Sequence, residues 1–142
     1  METIVRPYFI KTQGNLQLTK NFKVSEFKSR SYPVVFIGDE ILEVLQNLRD
    51  RLGVPINVNS GFRNKNHNDS VGGSTNSAHL LGLAADISCN TVPAWRVAHM
   101  LYMLYYKQVA IGLHTKENYV HVDTLYRGNW YKESLSNKVN SF

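Results

Sequence analysis

"ENYVHVDT", residues 117–124, decides how this chain is read. Val120 and Val122 alternate with Tyr119, His121 and Asp123, and this period of two sends apolar side chains to one face of a strand and polar ones to the other. The apolar stretch "VAIGLH" (109–114) lies just upstream, joined through "TK", so the pair reads as a hairpin. A strand that turns a histidine and an aspartate to one side within a domain needs partners for them. Burying either one unpaired is costly.

The same question arises in "NSAHLLGLAADIS", residues 76–88, where His79 and Asp86 flank the apolar "LLGLAA". "LAADIS" reads as another strand. If His79 ends a loop and Asp86 lies on that strand, both turn toward one centre, which His121 also faces. Two imidazoles and one carboxylate suit a catalytic zinc and leave its fourth position for water. Spacing alone leaves each of the three open between a metal ligand and a hydrogen-bonded core residue.

Outward from these strands the pattern is mixed. Ile41, Leu42, Leu45, Leu48 and Leu52 recur at helical spacing, with Asp39 expected as N-cap and Gly53 as the stop before Pro55. Ser25 is expected to cap a short turn near Glu26. "PINVNS" (55–60) alternates as a half-buried strand, and the polar stretch 61–77 predicts a loop with a short helix over 64–69. Val97, Ala98, Leu101, Leu104 and Tyr105 mark a second long helix, capped by Asn90 or Thr91, with Pro93 in its first turn. This order predicts an α+β fold: a small antiparallel sheet with helices packed on one side.

The 142 residues suit one domain, with no linker or repeat. No apolar run suits a membrane span, and the N-terminus lacks the pattern of a secretory signal. The expectation is a chain made in the cytoplasm that reaches its place of action by another route. A single cysteine, Cys89, excludes an internal disulfide and a Cys-rich zinc site, and its apolar setting predicts an inert buried thiol. The net charge of +5 favours polyanions, but Arg residues interleaved with aromatics are absent, so nucleic acid is not expected. A monomer without membrane insertion is expected. Of the other histidines, His99 reads as a hydrogen-bonded core residue and His67 as a surface one. His114, near the hairpin, either approaches the centre or faces solvent.

Taken together, Ser60-Gly61-Phe62-Arg63, Val71-Gly72-Gly73, Ser77-Ala78-His79, Gly82, Ala84, Asp86-Ile87 and His121-Val122-Asp123 resemble the zinc D-Ala-D-Ala carboxypeptidase and peptidoglycan endopeptidase family. That family includes small bacteriophage endolysins and other metallopeptidases of the LAS type. The resemblance covers residues 18–130, which makes 1–17 an N-terminal extension and 131–142 a C-terminal tail. It implies a hedgehog- or DD-peptidase-like fold and a zinc ion held by His79, Asp86 and His121. It also implies that Arg63 and Ser77 contact a peptidoglycan peptide, with Arg63 pairing a carboxylate or polarised carbonyl through its fork of donors. Gly72 and Gly73 serve a tight turn.

Relatives often place an acid three positions before the last histidine ligand, and here that position is Asn118. Glu117, one residue earlier, is the expected general base. Asp123 is the alternative, although a carboxylate there better suits holding a ligand imidazole. The implied activity is peptide-bond hydrolysis in peptidoglycan stems or cross-links, as in a phage or prophage lysin acting after release or from within a virion. Two alternatives stand: a D-Ala-D-Ala carboxypeptidase of the same fold, or an inactive zinc-containing wall-binding or structural module.

Overall fold

A computed structural model describes residues 3–134 and 137–139. The chain opens with β1 (Val5–Phe9) and the single turn α1 (Ile10–Gln13), then a 3-10 turn at Val24–Phe27 and β2 (Val34–Gly38). There follow α2 (Asp39–Leu52), β3 (Asn57–Ser60), α3 (Lys65–Ser70), a 3-10 turn at Ala78–Leu81, and β4 (Ala84–Ser88). The rest is α4 (Ala94–Tyr105), β5 (Ala110–His114), β6 (Tyr119–Asp123), β7 (Trp130–Ser134) and β8 (Asn137–Val139). The fold is α+β, and no helix among the described residues is long and apolar enough to cross a membrane.

The main sheet has six strands in the order β3-β4-β6-β5-β7-β8. Every neighbouring pair is antiparallel except β5–β7, which is parallel. Residues 131–134 and 137–139, which fall in the stretch grouped above as a tail, add strands to the sheet. Residues 5–9 of the N-terminal extension pair with β2 in a separate two-stranded sheet.

Period two sorts the main sheet into two faces. Ala85, Ile87, Ile111, Leu113, Val120 and Val122 face the core, together with Leu45 and Leu48 of α2 and Val97 and Leu101 of α4. Helix α2 starts after Gly38, so Asp39 is its first residue rather than its cap. There Asp39 and Glu40 oppose the positive end of the helix dipole. Gly53 ends the helix at φ 70°, and its N–H donates to the Arg49 carbonyl. The turn at Val24–Phe27 is capped from Lys23, two residues before the expected cap Ser25, with the Lys23 N–H donating to the Glu26 carboxylate. Cys89 is buried, and burial raises its thiol pKa, as expected of an inert residue.

Helix α4 begins after Pro93 without a cap from Asn90 or Thr91. Its first N–H, on Ala94, instead donates 2.9 Å to the Asn118 side chain from the β5–β6 turn. The opposite face of the sheet carries one row of residues in register: Ser60, Asp86, His121, Gly112 and Tyr131, on five adjacent strands. The candidate site is built on that row.

Candidate metal centre

His79, Asp86 and His121 converge so that one ligand atom from each lies within 4.8 Å of the others. Asp86 and His121 face each other across β4 and β6. His79 comes from the 3-10 turn, whose N-cap Ser77 accepts a bond from the His79 N–H at 3.2 Å. Gly82 closes that turn at φ 73°, and a Cβ there would meet the Phe36 carbonyl oxygen at 2.2 Å. Only glycine fits, and this fixes the approach of the His79 turn to β4.

The hydrogen bonds set the tautomers. His79 Nδ1 lies 2.7 Å from the Gly61 carbonyl oxygen, which only accepts, so Nδ1 holds the proton and donates. The ring's Nε2 then offers a lone pair, 3.2 Å from Asp86 Oδ1. His121 repeats the arrangement: Nε2–H donates 2.7 Å to Asp123 Oδ2, and Nδ1 faces Asp86 Oδ1 at 3.0 Å. With both imidazoles neutral, acceptors point at acceptors, and a cation must lie among them. A proton or a metal ion satisfies the set. The two-imidazole, one-carboxylate chemistry fits zinc, and both rings are held from behind, as ligating histidines usually are.

The electrostatics agree. Burial works against the Asp86 carboxylate, but the His121 and His79 rings beside it outweigh burial and hold its pKa well below the usual carboxylate range. Burial also works against a charged His121, yet Asp123 and Asp86 outweigh it and raise its pKa to about 9. Both shifts favour positive charge at the point where the acceptors converge.

Arg63 donates from Nη2 to Asp86 Oδ2 at 3.0 Å and from Nε to Ser60 Oγ at 2.9 Å. The carboxylate is thus divided, with Oδ1 toward the imidazoles and Oδ2 toward the guanidinium. Among the described residues, no side-chain hydrogen bond engages Nη1. Ser77 lines an open cleft of about 320 Å³ beside His121 and Asp123, together with Asn76, Tyr126, Asn129 and Tyr131.

Asp123 is buried and fully engaged. Its Oδ2 holds His121, and its Oδ1 accepts from the backbone N–H groups of Leu125 and Tyr126 at 2.9 and 2.7 Å. Its geometry is that of a positioning residue for His121. Glu117 is exposed in the β5–β6 turn and makes no bond to the cluster among the described residues. Asn118, in the left-handed region at φ 55°, is spent on capping α4.

Gly73 allows close packing rather than a turn alone: a Cβ there would meet the Asn68 side chain at 2.1 Å. His67 is half-buried and bonded to Ser29 Oγ at 2.8 Å, whereas His99 is exposed on α4 rather than in the core. Tyr126, Asn129 and Tyr131 were not foreseen as cleft residues. The signal for Tyr131 was Gly112, since a glycine inside a strand marks the close approach of another group.

Comparison with known proteins points the same way. A stretch of 48 residues is 46% identical to the zinc D-Ala-D-Ala carboxypeptidase of Streptomyces albus G, covering 33% of this chain and 19% of that protein. The characteristic sequence of the peptidase M15 family matches residues 18–123, a span that holds the three converging side chains as well as Arg63, Ser77 and Asp123. The chain belongs to the peptidase M15 family.

Proposed function

We propose that this protein is a zinc-dependent peptidase that hydrolyses a peptide bond in the stem or cross-link of bacterial peptidoglycan. The convergence of three acceptor atoms, each held from behind and set beside an open cleft, carries the reading. His79, Asp86 and His121 would hold the ion, which when bound supplies Lewis acidity toward a peptide carbonyl and toward water. Gly61 and Asp123 keep both imidazoles in the ligating tautomer. Arg63, already fixed by Asp86 and Ser60, offers Nη1 to a substrate carboxylate or to the developing oxyanion. Ser77 and Asn76 line the cleft in which the peptide would lie.

Glu117 is the proton acceptor we propose, because Asp123 has no oxygen to spare and the turn carrying Glu117 leads directly into the His121 strand. The positive net charge suits an anionic wall, the setting in which a phage or prophage lysin works. The name of the Streptomyces relative makes the D-Ala–D-Ala bond the first one to examine.

The test is mass spectrometry of purified peptidoglycan after incubation with the zinc-loaded protein, with and without a chelator. Chelator-sensitive release of cross-link fragments establishes an endopeptidase, and loss of a terminal alanine alone establishes a carboxypeptidase. Walls of several chemistries left unchanged by zinc-replete protein would overturn the peptidase reading in favour of a binding module. In the same assay Glu117→Gln should lower turnover by at least ~100-fold with zinc retained, the lower end of the ~10²–10⁴-fold usual for a general base.

A further inference from the structure

Tyr131 occupies an unusual position for a residue so close to the metal centre. It sits on β7, opposite Gly112 of β5, which in turn sits opposite His121 of β6. A Cβ on Gly112 would meet the Tyr131 hydroxyl and Cζ at 2.4 Å. The phenol therefore lies across β5 in the space a side chain would take. This lays its hydroxyl over β5, in the register row that His121 occupies on the neighbouring strand β6. His114 Nε2 lies 3.0 Å from the hydroxyl, and the His114 ring is stacked on Tyr119 at 4.2 Å between centroids and 10° between planes. Tyr131 and His121 line the same cleft.

We propose that Tyr131 is a catalytic residue of this site, donating its phenol O–H to the carbonyl oxygen of the scissile peptide, with His114 as its positioning residue. The inference rests on the peptidase reading above. In this role His114 is the Nε2–H tautomer and donates to the phenol oxygen at 3.0 Å, which strengthens the phenol as a donor toward the substrate carbonyl. Hydrolysis forms a bond from the water oxygen to the carbonyl carbon and breaks the C–N bond, and one water proton passes to the leaving amine. Tyr131 keeps its own proton throughout. Its hydrogen bond tightens as the carbonyl oxygen gains charge, so it acts on the transition state more than on the bound substrate.

The experiment compares wild type, Tyr131→Phe and Gly112→Ala, all zinc-loaded, on the peptidoglycan fragment the wild type cleaves. Zinc content and melting temperature are measured alongside. Tyr131→Phe should lower kcat by ~10–100-fold with KM and zinc content unchanged, somewhat below the 10²–10³-fold known for loss of an oxyanion donor, because Arg63 remains. Gly112→Ala, whose methyl displaces the phenol, should show a similar loss with the tyrosine present. Calorimetry supplies a readout apart from turnover: affinity for a phosphinate isostere of the cleaved bond should fall by the same factor in Tyr131→Phe, while affinity for the cleavage product holds. His114→Gln, which retains a donor, should keep more activity than His114→Ala. Wild-type kcat and isostere affinity in Tyr131→Phe would overturn this inference and leave the peptidase reading standing. A zinc-loaded wild type that cleaves nothing would overturn both.

Discussion

On one face of β6, Val120 and Val122 are fully buried in the same apolar core as Leu45, Leu48, Val97 and Leu101. On the other face, His121 and Asp123 are buried or half-buried too, yet each of their side-chain polar atoms faces another polar atom. The two faces differ in what satisfies them. The core face is held by non-directional burial, which tolerates repacking at constant volume. The site face is held by bonds of fixed direction, and one acceptor cluster on it is complete only with a cation. Damage to the first should cost stability and spare the chemistry. Damage to the second should do the reverse.

The largest separation is expected from Asp86→Ala. Wild type should purify with, or take up, one zinc per chain, and the variant should hold none by elemental analysis and show no turnover. Two imidazoles alone do not make a zinc site of this kind. Arg63 then loses its carboxylate partner as well, so Asp86→Asn serves as the milder check on folding. Full zinc occupancy in both variants would sink the ligand assignment.

The matching change on the core face is Leu101→Ala. Leu101 is fully buried on α4, and its truncation should destabilise the metal-free protein by ~2–5 kcal/mol in a denaturant titration. The folded fraction should keep wild-type zinc affinity. A selective loss of zinc affinity would mean that the two faces are coupled through β6.

The same contrast explains what could be read from the sequence. Val120, Val122, Leu45 and Leu101 announce themselves by period, because burial acts on residue type at regular spacing. His79, Asp86 and His121 were legible from their residue types and from the family pattern around them. Asn118 was not: read as a missing base, it is a helix cap whose partner, Ala94, lies 24 residues earlier in the chain. Asp123 looked available as a base because the donors that occupy its Oδ1 belong to backbone, which every residue carries. Tyr131 was hidden by the parallel pairing of β7 with β5, a long-range choice that local patterning does not specify. Strand β1 is mostly exposed and offered no period to find.

The smallest effect sharpens the comparison most, because it separates the cation from the bonds around it. In the metal-free protein His121 titrates at about 9, above its ordinary value, so its proton stabilises the fold fully below ~6.5 and that contribution fades as pH rises through 9. A metal ion takes the place of that proton, so binding at pH 7 must release it. Calorimetry of zinc binding in buffers of different ionisation enthalpy should find about one proton released. The apparent affinity should rise ~10-fold per pH unit across the neutral range. Asp123→Asn removes the carboxylate that helps hold this proton, so proton release at pH 7 should shrink. The same substitution frees the His121 ring from its anchor and should weaken zinc binding by ~10–100-fold. If Asp123→Asn weakened zinc while proton release stayed at one, Asp86 alone would account for the His121 shift, and Asp123 would act on ring orientation only. If neither changed, the second carboxylate would have no part in the centre, and the site face of β6 would reduce to its three ligands.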